Sequence, residues 1–105
     1  MKELIWQGSS YDDLKAFPMD AKQNAGFQLH KVQQGDDPND WKPMPRIDTG
    51  VREIRIKVES GEFRVIYIAN IGPRIYVLHC FQKKTQQTNQ RDIELAQARF
   101  KAIKR

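Results

Sequence analysis

The chain has 105 residues and one cysteine, which suits a single domain over residues 1–105 whose modest core needs neither a disulfide nor a metal. Its 18 lysines and arginines against 13 aspartates and glutamates give a formal net charge of +5, a surplus that favours a polyanion or an acidic protein as partner. No apolar run approaches the roughly 18 residues of a membrane helix and the first ten residues carry no signal-peptide core, so the sequence reads as cytoplasmic, with no membrane partner.

Lys2 to Gln7 reads as a short strand. Ser10, with Asp13 three residues on, starts a brief helix through Phe17 that Pro18 ends. Pro18 opens a second helix with Ala21, Ala25, Leu29 and Val32 as its inward stripe and Gly35 as its stop, so a helical hairpin is expected. Gly26 either weakens this helix by about 1 kcal/mol relative to Ala or lets the two helices approach closely. His30 falls on the outer or flanking side. Asp36 to Thr49, broken by Pro38, Pro43 and Pro45, reads as a loop in which Trp41 and Met44 anchor back on the core.

From Arg52 onward the period changes to two. Ile54, Ile56 and Val58 alternate with Arg55 and Lys57, which sends apolar side chains to one face and cations to the other. Ser60-Gly61 reads as a two-residue hairpin loop, setting Val58 opposite Phe63, Ile56 opposite Val65, Ile54 opposite Tyr67 and Lys57 opposite Arg64. Like charges directly opposite are unfavourable. Two compensations are open: a solvated lattice with Glu53, Glu59 and Glu62 on the same face, or a bound anion. Beyond the Asn70 to Pro73 turn, Arg74 to Phe81 alternates so that Ile75, Val77, His79 and Phe81 share one side, with His79 and Phe81 on the cationic face. Gln82-Lys83-Lys84-Thr85 then leaves the strand. Cys80 is expected to point with Leu78 to the apolar side as a small buried hydrophobe. Cations from two strands and an exit loop, beside an aromatic ring and an imidazole, suit phosphates and a stacked base.

Asn89 to Arg105 reads as a helix capped by Asn89, with Ile93, Ala96, Phe100 and Ile103 inward and Arg91, Arg99, Lys101, Lys104 and Arg105 outside, complementing the carboxyl end of the dipole. The order of elements implies an α+β fold, a small, mostly antiparallel sheet with helices packed on its apolar side. C-x-x-C sets, H-E-x-x-H, carboxylate clusters, G-x-G-x-x-G and the P-loop are all missing, so no metal and no nucleotide cofactor is implied.

The run K-P-M after Trp41, then G-V-R-E-I-R-I, F-R-V-I-Y, Y-V-L-H-C-F-Q-K-K-T-Q-Q-T and R-D-I-E-L-A-Q-A-R-F, resembles the HigB-type, phage-related branch of the RelE/ParE toxin superfamily over nearly the whole chain. The order and spacing of these motifs carry the resemblance. It implies a RelE/ParE-like small domain, a twisted sheet with an N-terminal helical hairpin and a C-terminal helix. It also implies the toxin half of a type II toxin–antitoxin pair, an mRNA interferase that acts in the A site of the ribosomal small subunit without a metal. The implied partners are mRNA, the ribosome and a helix-turn-helix, HigA-like antitoxin, and toxin and antitoxin could form a hetero-oligomer. Carried onto this sequence, the catalytic candidates are Arg64, Arg55, Lys57 and Lys83, with His79 as the side chain most titratable near neutrality. Lys84, Arg74 and Phe81 are the candidate RNA contacts. The carboxyl end lacks both an alignable tyrosine and the terminal histidine pair of some HigB members, so the general base is left open. A ParE-like gyrase poison and a non-catalytic nucleic-acid-binding module are the alternatives, because one fold supports several activities.

Overall fold

Strand-forming runs and two helical periodicities combine into five strands and three helices in a computed structural model that describes residues 1–104. In chain order these are β1 (Glu3–Trp6), α1 (Ser10–Lys15), α2 (Met19–Gln33), β2 (Trp41–Pro43), β3 (Val51–Val58), β4 (Gly61–Ile71), β5 (Arg74–Lys83) and α3 (Gln90–Lys101). The strands form one sheet in the order β1-β5-β4-β3-β2, parallel only between β1 and β5. The fold is thus α+β with a mixed five-stranded sheet.

The helices cover both faces of the sheet rather than one. Leu14, Phe17, Ala21, Ala25, Leu29 and Val32 from α1 and α2 pack on Ile54, Ile56, Phe63, Val65, Tyr67, Ile75, Val77 and Cys80. On the opposite face, Ile93 and Ala96 of α3 pack with Met44, Val51, Ile66, Ile68, Tyr76 and Leu78, flanked by Phe100 and Ile103. Residues 63 to 68 are apolar on both sides of the pleat apart from Arg64, and a strand buried on both faces reads as a near-continuous run. The alternation in β3 alone conceals this second core. Asn89 caps α3 as expected, its side chain accepting from the Asp92 amide at 2.9 Å. Arg105, expected on the outside of this helix, lies outside the described residues.

Four local features differ from the sequence expectation. The Asp36 to Thr49 segment contains β2, whose Trp41, Lys42 and Pro43 pair with Ile54, Glu53 and Arg52. Pro43 is tolerated there because β2 is an edge strand. The β3–β4 loop is Glu59-Ser60, with Val58 opposite Gly61, Ile56 opposite Phe63 and Arg55 opposite Arg64. Gly61 makes this bend at φ +140°, a region closed to most side chains. Asp20 at the start of α2 holds the loop by accepting from the Ser60 hydroxyl at 2.6 Å and from its amide at 3.3 Å. The pairing differs by two residues from that expected, which preserves the two faces where a slip of one would exchange them. In β5 a bulge pairs Ile66 with His79 but Tyr67 with Val77, so Leu78 is the extra residue. Ile75, Val77 and Cys80 therefore face α1 and α2, while Leu78 and Phe81 face α3. Finally, the α1 N-cap is Ser9, while Ser10 is buried and donates to Val77 O at 3.1 Å. Gly26 is exposed with nothing near a notional Cβ, so it does not serve close helix approach.

Candidate phosphate-binding site

The β3–β4–β5 register stacks the charged residues of the α3-side face into rungs. One rung is Arg55, Arg64 and Phe81; the next, toward the hairpin tip, is Lys57, Glu62 and Lys83; the third, toward the interior, is Glu53, Ile66 and His79. Residues two apart along a strand are roughly 6.6 Å apart and neighbouring strands about 4.8 Å, so this is a compact lattice. Lys42, opposite Glu53, extends the interior rung onto β2. Lys42, Arg55, Lys57, Arg64 and Lys83 share this patch with Asp40, Glu53 and Glu62, which leaves a surplus of two positive charges.

Arg64 is 2% exposed and Glu53 is fully buried, so their charges must be met inside the protein. Arg64 donates to Glu62 Oε1 at 3.1 Å and to Phe63 O at 3.0 Å. Its Nε lies 3.6 Å from Glu53 Oε1, and neither atom has a hydrogen-bond partner among the described residues. The attraction between them is Coulombic, at a distance beyond hydrogen bonding. Glu53 Oε2 accepts from the Thr88 hydroxyl at 2.6 Å, and Lys42 Nζ lies 3.7 Å from Oε1. Arg55 directs Nε (3.0 Å) and Nη2 (2.8 Å) at one oxygen of Asp40. The Arg55–Arg64 juxtaposition, unfavourable alone, is thus met from both sides by carboxylates.

The outer rung is open to solvent. Lys57 and Lys84 are exposed and Lys83 is half-buried. Burial first, then the Arg64 and Lys42 charges, push the Lys83 ammonium below the usual lysine value. Glu62, held by its hydrogen bond from Arg64 and by the Lys57 and Lys83 charges, titrates below the usual glutamate value. Beside the cations, His79 and Phe81 stack with centroids 4.7 Å apart and planes at 19°. Together with Asp13, Phe17, Pro18, Phe63 and Gln82 they border a groove of about 390 Å³.

His79 is fixed from both ring nitrogens. Nε2 lies 2.7 Å from Asp92 Oδ1, and Nδ1 lies 3.4 Å from Arg99 Nη1. A carboxylate accepts and a guanidinium donates, which assigns the Nε2–H tautomer. Arg99 was expected outside; instead it turns inward to donate to Leu78 O at 3.0 Å and to Ser9 Oγ at 2.9 Å. Arg74 lies at the opposite end of β5 from Lys83, roughly 30 Å away by strand rise, beside Glu3 at 3.6 Å. The structure therefore gathers Arg55, Lys57, Arg64, Lys83, His79 and Phe81, leaves Lys84 exposed just past the end of β5, and places Arg74 elsewhere. Asp40, Lys42, Thr88, Asp92 and Arg99, which shape the site, are not evident in the sequence. Lys42 and Asp40 sit in a proline-broken segment, and Arg99 follows the polar side of an amphipathic helix.

Among the described residues no three His, Cys, Asp or Glu side chains gather as metal ligands would, and no helix is long and apolar enough to cross a membrane. A family model described as phage derived protein Gp49-like (DUF891) matches residues 12–101. No curated protein matches the chain.

Proposed function

The chain belongs to the phage-derived Gp49-like family, a RelE/HigB-type toxin family associated with toxin–antitoxin pairs, and from that premise we propose that it is an mRNA interferase acting on translated messages. The supporting observation is the cationic ladder itself, in which Arg55 and Arg64 lie one rung from Lys57 and Lys83, beside the stacked His79–Phe81 pair. Such a surface suits a single-stranded RNA whose backbone follows the cations and whose bases stack on an aromatic ring.

In this reading the ribose 2′-hydroxyl gives its proton to solvent water as its oxygen attacks the adjacent phosphorus, the bond to the 5′-oxygen breaks, and a 2′,3′-cyclic phosphate forms. Arg64 and Arg55 counter the charge that builds on the non-bridging oxygens, because fixed guanidinium donors in a partly dry site stabilise a developing anion. Lys83 gives its proton to the leaving 5′-oxygen, a role its lowered pKa suits. Both His79 nitrogens are engaged by Asp92 and Arg99, so His79 is assigned to holding Phe81 in place for base stacking. Lys84 extends the phosphate track beyond β5. The ribosome aligns the substrate, and a helix-turn-helix antitoxin is the proposed partner that blocks this face.

Brief expression followed by transcriptome-wide mapping of mRNA 5′ ends tests the reading. Codon-positioned cuts within translated messages, absent for Arg64→Ala when that variant is folded, are the expected result. Inhibited DNA supercoiling without new ends would make the chain a gyrase poison. Neither effect would leave it a binding module.

A further inference from the structure

Glu62 occupies an unusual position for a carboxylate. Lys57 and Lys83 are its cross-strand neighbours on either side, and Arg64 Nη2 donates to it at 3.1 Å from the next rung. Three cations on three sides of one acceptor form the environment in which a phosphate would be expected, and a carboxylate there presents oxygen acceptors much as a phosphate does. Arg64 is buried, and of its two carboxylate partners Glu53 is buried as well, whereas the Glu62 side chain is half exposed. The guanidinium itself is 2% exposed, so a ligand gains access to it on the Glu62 side once that half-exposed carboxylate swings away.

We propose that Glu62 is an intramolecular stand-in for an RNA phosphodiester, occupying the central position of the cationic lattice until a backbone phosphate displaces it. This rests on the reading that the lattice grips RNA, and it adds what sets the affinity. The free protein spends its strongest anion-binding position on its own side chain. Binding exchanges one Arg64 partner for another, so net affinity is the difference between two similar interactions. The hydrogen bond from Arg64 and the Lys57 and Lys83 charges hold the Glu62 carboxyl below the usual glutamate value, which favours the ionised competitor. The exchange also gives Arg64 a path to a phosphate that needs no movement of the buried Glu53.

The test is equilibrium binding of a fluorescein-labelled 2′-O-methyl RNA hexamer, which has no free 2′-hydroxyl and cannot be cut, to four proteins: the natural sequence, Glu62→Gln, Glu59→Gln and Lys83→Ala. Glu59 lies in the same hairpin turn and is exposed, so its variant makes the same change in net charge without touching the lattice. Glu62→Gln should bind about three- to tenfold more tightly, the scale of losing a half-exposed, charge-assisted competitor. Glu59→Gln should change affinity less than twofold, and Lys83→Ala should weaken it. Equal tightening by Glu62→Gln and Glu59→Gln would overturn the proposal in favour of general electrostatics. An unchanged Glu62→Gln beside a weakened Lys83→Ala would overturn it while leaving the phosphate site standing. No binding by any of the four would overturn both.

Discussion

Glu53→Gln isolates the interior ion pair on which the position of Arg64 depends. Glu53 is 0% exposed and Arg64 2%, and removing one partner of a buried pair costs about 3–5 kcal/mol because the other charge is left uncompensated. Two observations bring the expected loss to or below the lower end of that range. Arg64 keeps Glu62 at 3.1 Å, and the Glu53–Arg64 separation of 3.6 Å forfeits no hydrogen bond. A loss of about 2–3 kcal/mol is therefore expected, which for a chain of this size lowers Tm by roughly 10–20 °C. Thermal and urea unfolding followed by circular dichroism measure it. Arg64→Met and the double variant complete a cycle, in which the double variant should lose at least about 1 kcal/mol less than the sum of the singles. A loss below about 0.5 kcal/mol for Glu53→Gln, or strict additivity, would refute the view that this pair holds the guanidinium in place.

Three further outcomes follow from individual contacts. Burial pushes the Cys80 thiol up to about 12, so at pH 8 it should react with a disulfide reagent at least about a hundredfold more slowly than a free thiol, reacting fully only once denatured; rapid native labelling would contradict its place in the core. Asn89→Ala removes the α3 cap and should cost about 1 kcal/mol in urea unfolding; no change would mean that tertiary packing alone sets the helix start. The Ser60 hydroxyl holds Asp20 below its ordinary 3.8, so its stabilisation is present above that pH and is lost as pH falls through the lower folded-state value. Asp20→Asn should flatten the Tm-versus-pH curve in that acid window, and an unaltered curve would show that the loop anchor contributes nothing.

Helical periodicity and strand alternation made most elements legible, because Ala21, Ala25, Leu29 and Val32 and the run from Ile54 to Val58 each carry one clear period. The cationic face was readable for the same reason. Three physical effects hid the rest. The β3–β4 register depends on a bend at Gly61 and on Asp20, 40 residues before Ser60, which local turn chemistry does not register. The Leu78 bulge reverses strand parity midway through β5, so Cys80 and Leu78 part company. The double burial of β4 brings Arg64 inside, where a partner at Glu53 becomes obligatory; a count of surface charges treats both as solvated.

Where RNA lands on the protein tests the role of the cationic ladder most directly. In an amide chemical-shift titration of the free protein with the 2′-O-methyl hexamer, the largest changes should fall on residues 55, 57, 62, 64, 81, 83 and 84, with Arg74 and the exposed side of α2 unmoved. Changes concentrated at Arg74 or on α2, with the ladder silent, would contradict it.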